Sequence, residues 1–171
     1  MKSKAAIGNH PIHPMLVPVP IGAFSLVFVG DVVHVATGDP FWYRFSTVAI
    51  NLGLTFALFA AAVGAVDYLS LKLNRRANSI ATAHALTNVA VVVLYAMSDF
   101  MRLGGAELRS SRLSTAMALS TAGFLLLGIA AWLGGKLAYE ERLGVLEAPL
   151  RTEPLDEDLP APRETARAAK G

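Results

Sequence analysis

The chain has 171 residues, of which 54% are hydrophobic and 16% charged, with a mean hydropathy of +0.48, a formal net charge of +2 and no cysteine. A soluble domain carries about 25% charged residues, so this deficit predicts an integral membrane protein, as do apolar runs that reach the ~20 residues needed to cross a bilayer core. The lack of cysteine excludes disulfides, thiolate metal sites, Cys nucleophiles, iron–sulfur ligation and covalent c-type haem. The cations sit at the ends of apolar runs and form no stripe, which excludes nucleic acid as a partner.

Met1 to Ile7 carries Lys2 and Lys4 but leads to no small-residue cleavage site, so the first apolar run is expected to stay in the protein. Asn9-His10-Pro11-Ile12-His13-Pro14 follows, with Pro18 and Pro20 beyond it. Proline is tolerated in a helix's first turn and breaks its interior. This predicts a helix start near Met15 to Pro18, with His10 and His13 on extended or turn-like backbone in an interfacial segment, residues 1–14.

Span one is expected over residues 16–35, with Asp31 and His34 three apart on one face at its far end. Thr37-Gly38-Asp39-Pro40 is a turn signal, and Phe41, Trp42 and Tyr43 suit an interfacial belt. Span two is expected over 45–66. There Gly53, Ala57, Ala60, Gly64 and Asp67 make a small-residue seam that ends in a carboxylate. Lys72, Arg75 and Arg76 mark a short polar loop.

Span three, over 80–101, carries His84, Asn88, Val91, Tyr95, Ser98 and Arg102 at helical spacing, with Asp99 beside them. Facing lipid, these polar groups would cost a few kcal/mol each near the bilayer centre, so the stripe is expected to face the bundle interior. Span four, over 113–137, has a second seam of Ala116, Ser120, Gly123, Leu127, Ala130 and Gly134. Gly134-Gly135 predicts a close backbone approach or a loosened last turn. The reading is an all-α, integral membrane four-helix bundle over residues 15–145, with no internal repeat. Residues 146–171, rich in Pro, Glu, Asp, Arg and Ala, read as a disordered charged tail.

Four spans put both termini and the second loop on one side. Lys2, Lys4, Lys72, Arg75, Arg76, Lys136 and Arg142 there, against Arg44, Arg102, Arg109 and Arg112 opposite, place that side in the cytoplasm. The polar groups then sort into two layers. His10, His13, Asp67, His84, Asn88, Lys136 and Tyr139 form the cytoplasmic one. Asp31, His34, Asn51, Asp99 and Arg102 form the outer one.

His10-Pro11-Ile12-His13-Pro14-Met15-Leu16-Val17-Pro18, then Pro20-Ile21-Gly22, resembles the opening signature of a bacterial membrane-protein family, domain of unknown function 2231. The resemblance continues through Asp31, Gly64-Ala65-Val66-Asp67-Tyr68, His84 with Asn88, Arg102, Gly134-Gly135 and Gly144-Val145, and covers roughly residues 8–145; His34 does not match it. It implies four spans in a bacterial inner membrane. Similar domains are fused to Rieske or cytochrome c modules, which implies redox work, although this chain carries no such module.

For His10, His13 and His84 the functional reading is a ligand set. Haem b would take His84 and either His13 or His10 as axial imidazoles, a slot between the seams, and Lys72, Arg75, Arg76 or Lys136 near its propionates. A non-haem metal would take His10, His13, His84 and Asp67 as N and O donors. The competing reading is that the histidines bond carbonyls freed by the prolines. Asp67 reads equally as a carboxylate that orients a ligating histidine and as an acceptor for a nearby N–H. Asp31 and Arg102 read as a structural ion pair, or as part of a proton path with Tyr95, Asn51 and Asn88. No catalytic motif appears. The function classes left are a haem- or metal-bearing redox subunit whose partner is a quinone or respiratory protein, a structural or docking subunit, and a small proton or ion transport subunit. A homo-oligomer is compatible with each.

Overall fold

Proline placement decides how the first span begins. In the computed structural model, which describes residues 5–8, 10–103 and 110–143, β1 (Ala6–Ile7) and β2 (His10–Pro11) form a short antiparallel pair, with Gly8 at φ 62 between them. The tail expected over 146–171 lies outside the described residues. Helix α1 (Ile12–Leu16) follows at once, then α2 (Pro18–Thr37). Val17 between them is itself helical, at φ −55 and ψ −35, so the two run on as one rod.

The helix thus starts three to six residues earlier than expected, and His13 lies on a helical turn. His10 is extended, in β2. The reason is that Pro14 falls in the first turn, where a missing N–H costs nothing. Pro18 and Pro20 only leave the carbonyls of Pro14 and Leu16 without their usual donors.

Gly38, left-handed at φ 69, closes α2. The Asp39 side chain accepts the Phe41 N–H at 2.8 Å and Pro40 sits at the first helical position, so α3 (Pro40–Ser70) begins there. It absorbs the Phe41-Trp42-Tyr43 cluster and begins five residues before the expected position 45. Asn74 caps α4 (Arg75–Arg102) by accepting from the Ala77 N–H at 2.8 Å. Helix α5 (Ser110–Gly135) loosens after its paired glycines into a π-helical turn, Lys136–Glu140. Four helical segments, Ile12–Thr37, Pro40–Ser70, Arg75–Arg102 and Ser111–Glu140, are long and apolar enough to cross a membrane. The fold is an all-α, four-helix membrane bundle.

The helices pair as two hairpins. α2 packs mainly on α3 and α4 mainly on α5; the seams between hairpins, α3 with α4 and α2 with α5, are thinner. The hairpins repeat one another. His13, Phe24 and Asp31 of the first correspond to His84, Tyr95 and Arg102 of the second, 71 residues on. Gly53, Ala60 and Gly64 correspond to Gly123, Ala130 and Gly134, 70 residues on. The reading of four spans without a repeat is therefore corrected. The repeat escapes a linear reading because it survives at few positions, where the helices of each hairpin pack and where Phe24 meets Tyr95 and Asp31 meets Arg102 across the axis relating the halves. Both hairpins run the same way, so that axis lies along the membrane normal.

Glycine lets the two helices of each hairpin close. A Cβ on Gly53 would lie 2.5 Å from Phe24 Cε1, and one on Gly123 would lie 2.8 Å from Tyr95 Cε2. Phe24 and Tyr95 thus sit in matching notches, and with Val27, Ile50, Val91 and Leu127 they form the core. This layer is near the middle of the first, second and fourth spans, whose midpoints fall at residues 24–25, 55 and 125–126; the third span's midpoint falls at 88–89, so Tyr95 lies nearly two turns closer to its far end. Outward residues such as Val48, Leu58, Leu86, Val89 and Leu125 are exposed, as expected of helices that meet lipid.

Candidate functional site

At the end of the bundle that holds β1 and β2, two histidines sit in matched surroundings. Nδ1 of His13 is 2.8 Å from the carbonyl oxygen of Ala60 in α3, and Nδ1 of His84 is 2.9 Å from that of Ala130 in α5. A carbonyl oxygen only accepts, so each Nδ1 carries a proton, and in the neutral imidazole it is Nε2 that keeps the in-plane lone pair. Each ring also lies against a glycine one turn beyond its acceptor. A Cβ on Gly64 would fall 2.9 Å from His13 Nδ1, and one on Gly134 would fall 3.0 Å from His84 Cε1.

Asn88 adds a difference between the halves, since its counterpart is Val17. The Asn88 amide nitrogen donates to the carbonyl of His84 at 2.9 Å. It also lies 3.4 Å from His84 Nδ1 and 3.2 Å from Nε2. An atom nearly equidistant from both ring nitrogens at this range sits toward the ring face, and with Nδ1 protonated its second hydrogen is within reach of Nε2 as acceptor.

Of the candidate site residues His10, His13, Asp67, His84 and Asn88, the structure brings Asn88 onto His84 and sets His13 in matching surroundings at the same end of the bundle. His10 is exposed on β2, and Asp67 accepts the Ala5 N–H at 3.2 Å, which ties the N-terminal strand pair to the end of α3. Ile12 N–H to Ala5 O at 2.9 Å completes that strap. Among the described residues, no three or more His, Cys, Asp or Glu come together as a metal-ligand group. A set of His10, His13, His84 and Asp67 is therefore not assembled. The carbonyls that the histidines meet belong to α3 and α5, not to the segment broken by prolines. The glycine seams hold aromatic and imidazole rings.

The cations named for an anionic group are placed differently. Arg76 bridges α4 to the π turn, at 2.8 Å to Glu140 and 3.3 Å to Glu141. Lys72 is exposed in the loop between α3 and α4, and Lys136 opens the π turn.

At the far end, Arg102 Nη2 is 2.7 Å from Asp31 Oδ2, joining α4 to α2, and both residues are buried. Ser120 donates to the same Oδ2 at 2.6 Å, and Tyr43 donates its hydroxyl to the Arg102 carbonyl at 2.7 Å. His34 donates from Nδ1 to the Asp39 carbonyl at 2.9 Å, closing the turn between α2 and α3. Asn51 donates to Asp99 at 3.1 Å on the partly exposed side of the α3–α4 seam. The apolar core layer separates these groups from the histidine pair. Sequence reading missed Tyr43 as a partner of Arg102, and missed Gly64 and Gly134 as seats for the histidine rings. Aligning the two hairpins would have found the seats.

A profile of the family described as "Predicted membrane protein (DUF2231)" matches residues 9–147. No curated protein and no solved structure matches the chain.

Proposed function

The chain belongs to the DUF2231 family of predicted membrane proteins, and on that footing we propose that it is a membrane subunit holding one haem b through Nε2 of His13 and Nε2 of His84. The observation that carries this reading is the matched pair of imidazoles, each with its Nδ1–H on a helix carbonyl, which leaves Nε2 as the nitrogen available to a ligand. Such a second bond fixes tautomer and ring orientation and raises the basicity of the ligating nitrogen. Two protein donors suit a haem iron, whose other four ligands come from the porphyrin. They suit a bare divalent ion less well, since it seeks three or more protein donors. A non-haem metal on the same pair is the variant of this reading.

When bound, the group would supply one-electron chemistry at the end of the bundle that carries the N-terminus. The residues of this chain supply position and exclusion. The carbonyls of Ala60 and Ala130 hold the imidazoles, the glycines let the rings lie close to α3 and α5, and Asn88 covers one face of His84. The strap made by Ala5, Ile12 and Asp67 shields the end of α3. In this reading the protein sits in a bacterial inner membrane with both termini in the cytoplasm, as its basic residues favour. Its redox partner is a respiratory protein or a quinone.

A second reading has its own observation. Each histidine also acts as a staple, His13 from α1 to α3 and His84 from α4 to α5, and each ring fills the space above a glycine. A structural or docking subunit would need no more. The measurement that separates the two is the absorption spectrum of purified protein beside elemental analysis for Fe, Zn and Cu. A Soret band with about one iron per chain is expected. Folded protein without colour or metal contradicts the ligand reading and leaves the staple.

A further inference from the structure

The far-end ion pair is incompletely paired. Asp31 and Arg102 are 4% and 2% exposed, yet they meet through one contact only, Nη2 to Oδ2 at 2.7 Å. Two-pronged pairing, the usual preference of arginine for a carboxylate, would use a second nitrogen and the second oxygen. Two neighbours prevent it. Arg102 Nε–H turns to Ser98 Oγ at 3.4 Å, and Ser120 brings a second donor to Oδ2 at 2.6 Å. Left over are Asp31 Oδ1, an acceptor, and Arg102 Nη1, a donor. Both are buried, and neither meets a protein partner among the described residues.

Charge narrows what can satisfy them. The carboxylate repels an anion and the guanidinium repels a cation, so the occupant is neutral. It must accept from Nη1 and donate to Oδ1. It must also be small. The Tyr43 ring lies 5.7 Å from Arg102 Cζ, its hydroxyl is fixed on the Arg102 carbonyl, and Ser98 and Ser120 are fully buried at the sides. Buried water with two to four polar partners is the common solution for such leftover groups.

We propose that Asp31 Oδ1 and Arg102 Nη1 together bind one structural water, seven residues beyond the Phe24–Tyr95 layer, or ~10 Å along the helices. The site is independent of the cofactor reading. It places a polar centre on the axis between the hairpins, in the half of the bundle opposite the histidines. The water completes the pairing that the serines prevent. Tyr43 closes the site from the far surface, and the Phe24–Tyr95 stack closes it from the membrane centre.

The direct test is a structure of the full chain in lipid at a resolution that shows ordered water. One peak at hydrogen-bonding distance from both Asp31 Oδ1 and Arg102 Nη1 is expected. Absence of a peak, or rotation of the pair into a two-pronged contact, overturns the proposal. X-ray radiolytic labelling in nanodiscs gives a second readout, because radicals arise at bound water itself. Corrected for the higher intrinsic reactivity of a phenol, Tyr43 should label faster than Phe24, which is also buried. In D31L/R102M that excess should vanish, with Tyr43 falling to the rate of Phe24. Equal rates in the native protein would also overturn the proposal, and this comparison does not depend on how the variant folds.

Discussion

Phe24 and Tyr95 stack face to face, with ring centroids 3.9 Å apart and planes within 9°, and they are equivalent residues of the two hairpins. Tyr95 also donates its hydroxyl to the carbonyl of Phe24 at 3.1 Å. The contact therefore joins α4 to α2 twice, across the axis of the bundle. Tyr95→Phe keeps the stack and loses the hydrogen bond, at a cost of about 1 kcal/mol. Tyr95→Ala empties a fully buried site and should cost about 3–5 kcal/mol. Unfolding in detergent or bicelles measures both, and equal costs would mean that the ring adds nothing to the pairing.

The glycine seats give a sharper test of the repeat. In Gly53→Ala and Gly123→Ala the new methyl would stand 2.5 and 2.8 Å from Phe24 and Tyr95 atoms. Overpacking of this kind typically costs about 1–3 kcal/mol. Gly128, with nothing within 4 Å of an added Cβ, is the control. Gly128→Ala should be neutral or stabilising by up to about 1 kcal/mol, through its helix propensity. Destabilisation by Gly128→Ala as large as that of the other two would contradict the notch account.

Removing one member of the buried pair strands the other. Asp31→Leu or Arg102→Met alone should cost about 3–5 kcal/mol, whereas the double substitution should recover most of that loss. A double variant as unstable as the worse single one would show that Ser98, Ser120 and Tyr43, rather than the two charges, set the packing at that end.

Asp67 is assigned to the N-terminal strap. Asp67→Ala should speed amide exchange at Ala5 and Ile12 by about tenfold, the equivalent of one lost hydrogen bond, while α3 core amides such as Ile50 stay protected. Exchange that is unchanged at Ala5, or raised throughout α3, would contradict the assignment.

The four spans were legible because the bilayer imposes one simple demand, a long apolar helix, and this chain meets it four times. The polar stripe of α4 was legible too. Val91, Tyr95, Ser98 and Arg102 are buried, because nothing at that depth is satisfied by lipid. Helix ends were less legible. Pro14, Pro18 and Pro20 read as breakers, but consecutive prolines near a helix start remove donors without ending the rod. The pairing of His13 with Ala60 and Gly64 was hidden for another reason. A backbone carbonyl has no signature in sequence, and a glycine that seats a ring looks the same as one that lets two helices touch. Asp67 looked like a ligand partner because it ends the α3 seam, yet its oxygen serves the Ala5 amide.

The central claim is that His13 and His84 act as one unit at one end of the bundle. It is tested most directly by the Soret absorbance per chain of purified wild type, His13→Ala, His84→Ala and the double variant, with folding checked alongside. Shared ligation predicts a band in the wild type and the same loss in each single variant as in the double. A wild type with no band, or singles that each keep part of it and add up in the double, would contradict it.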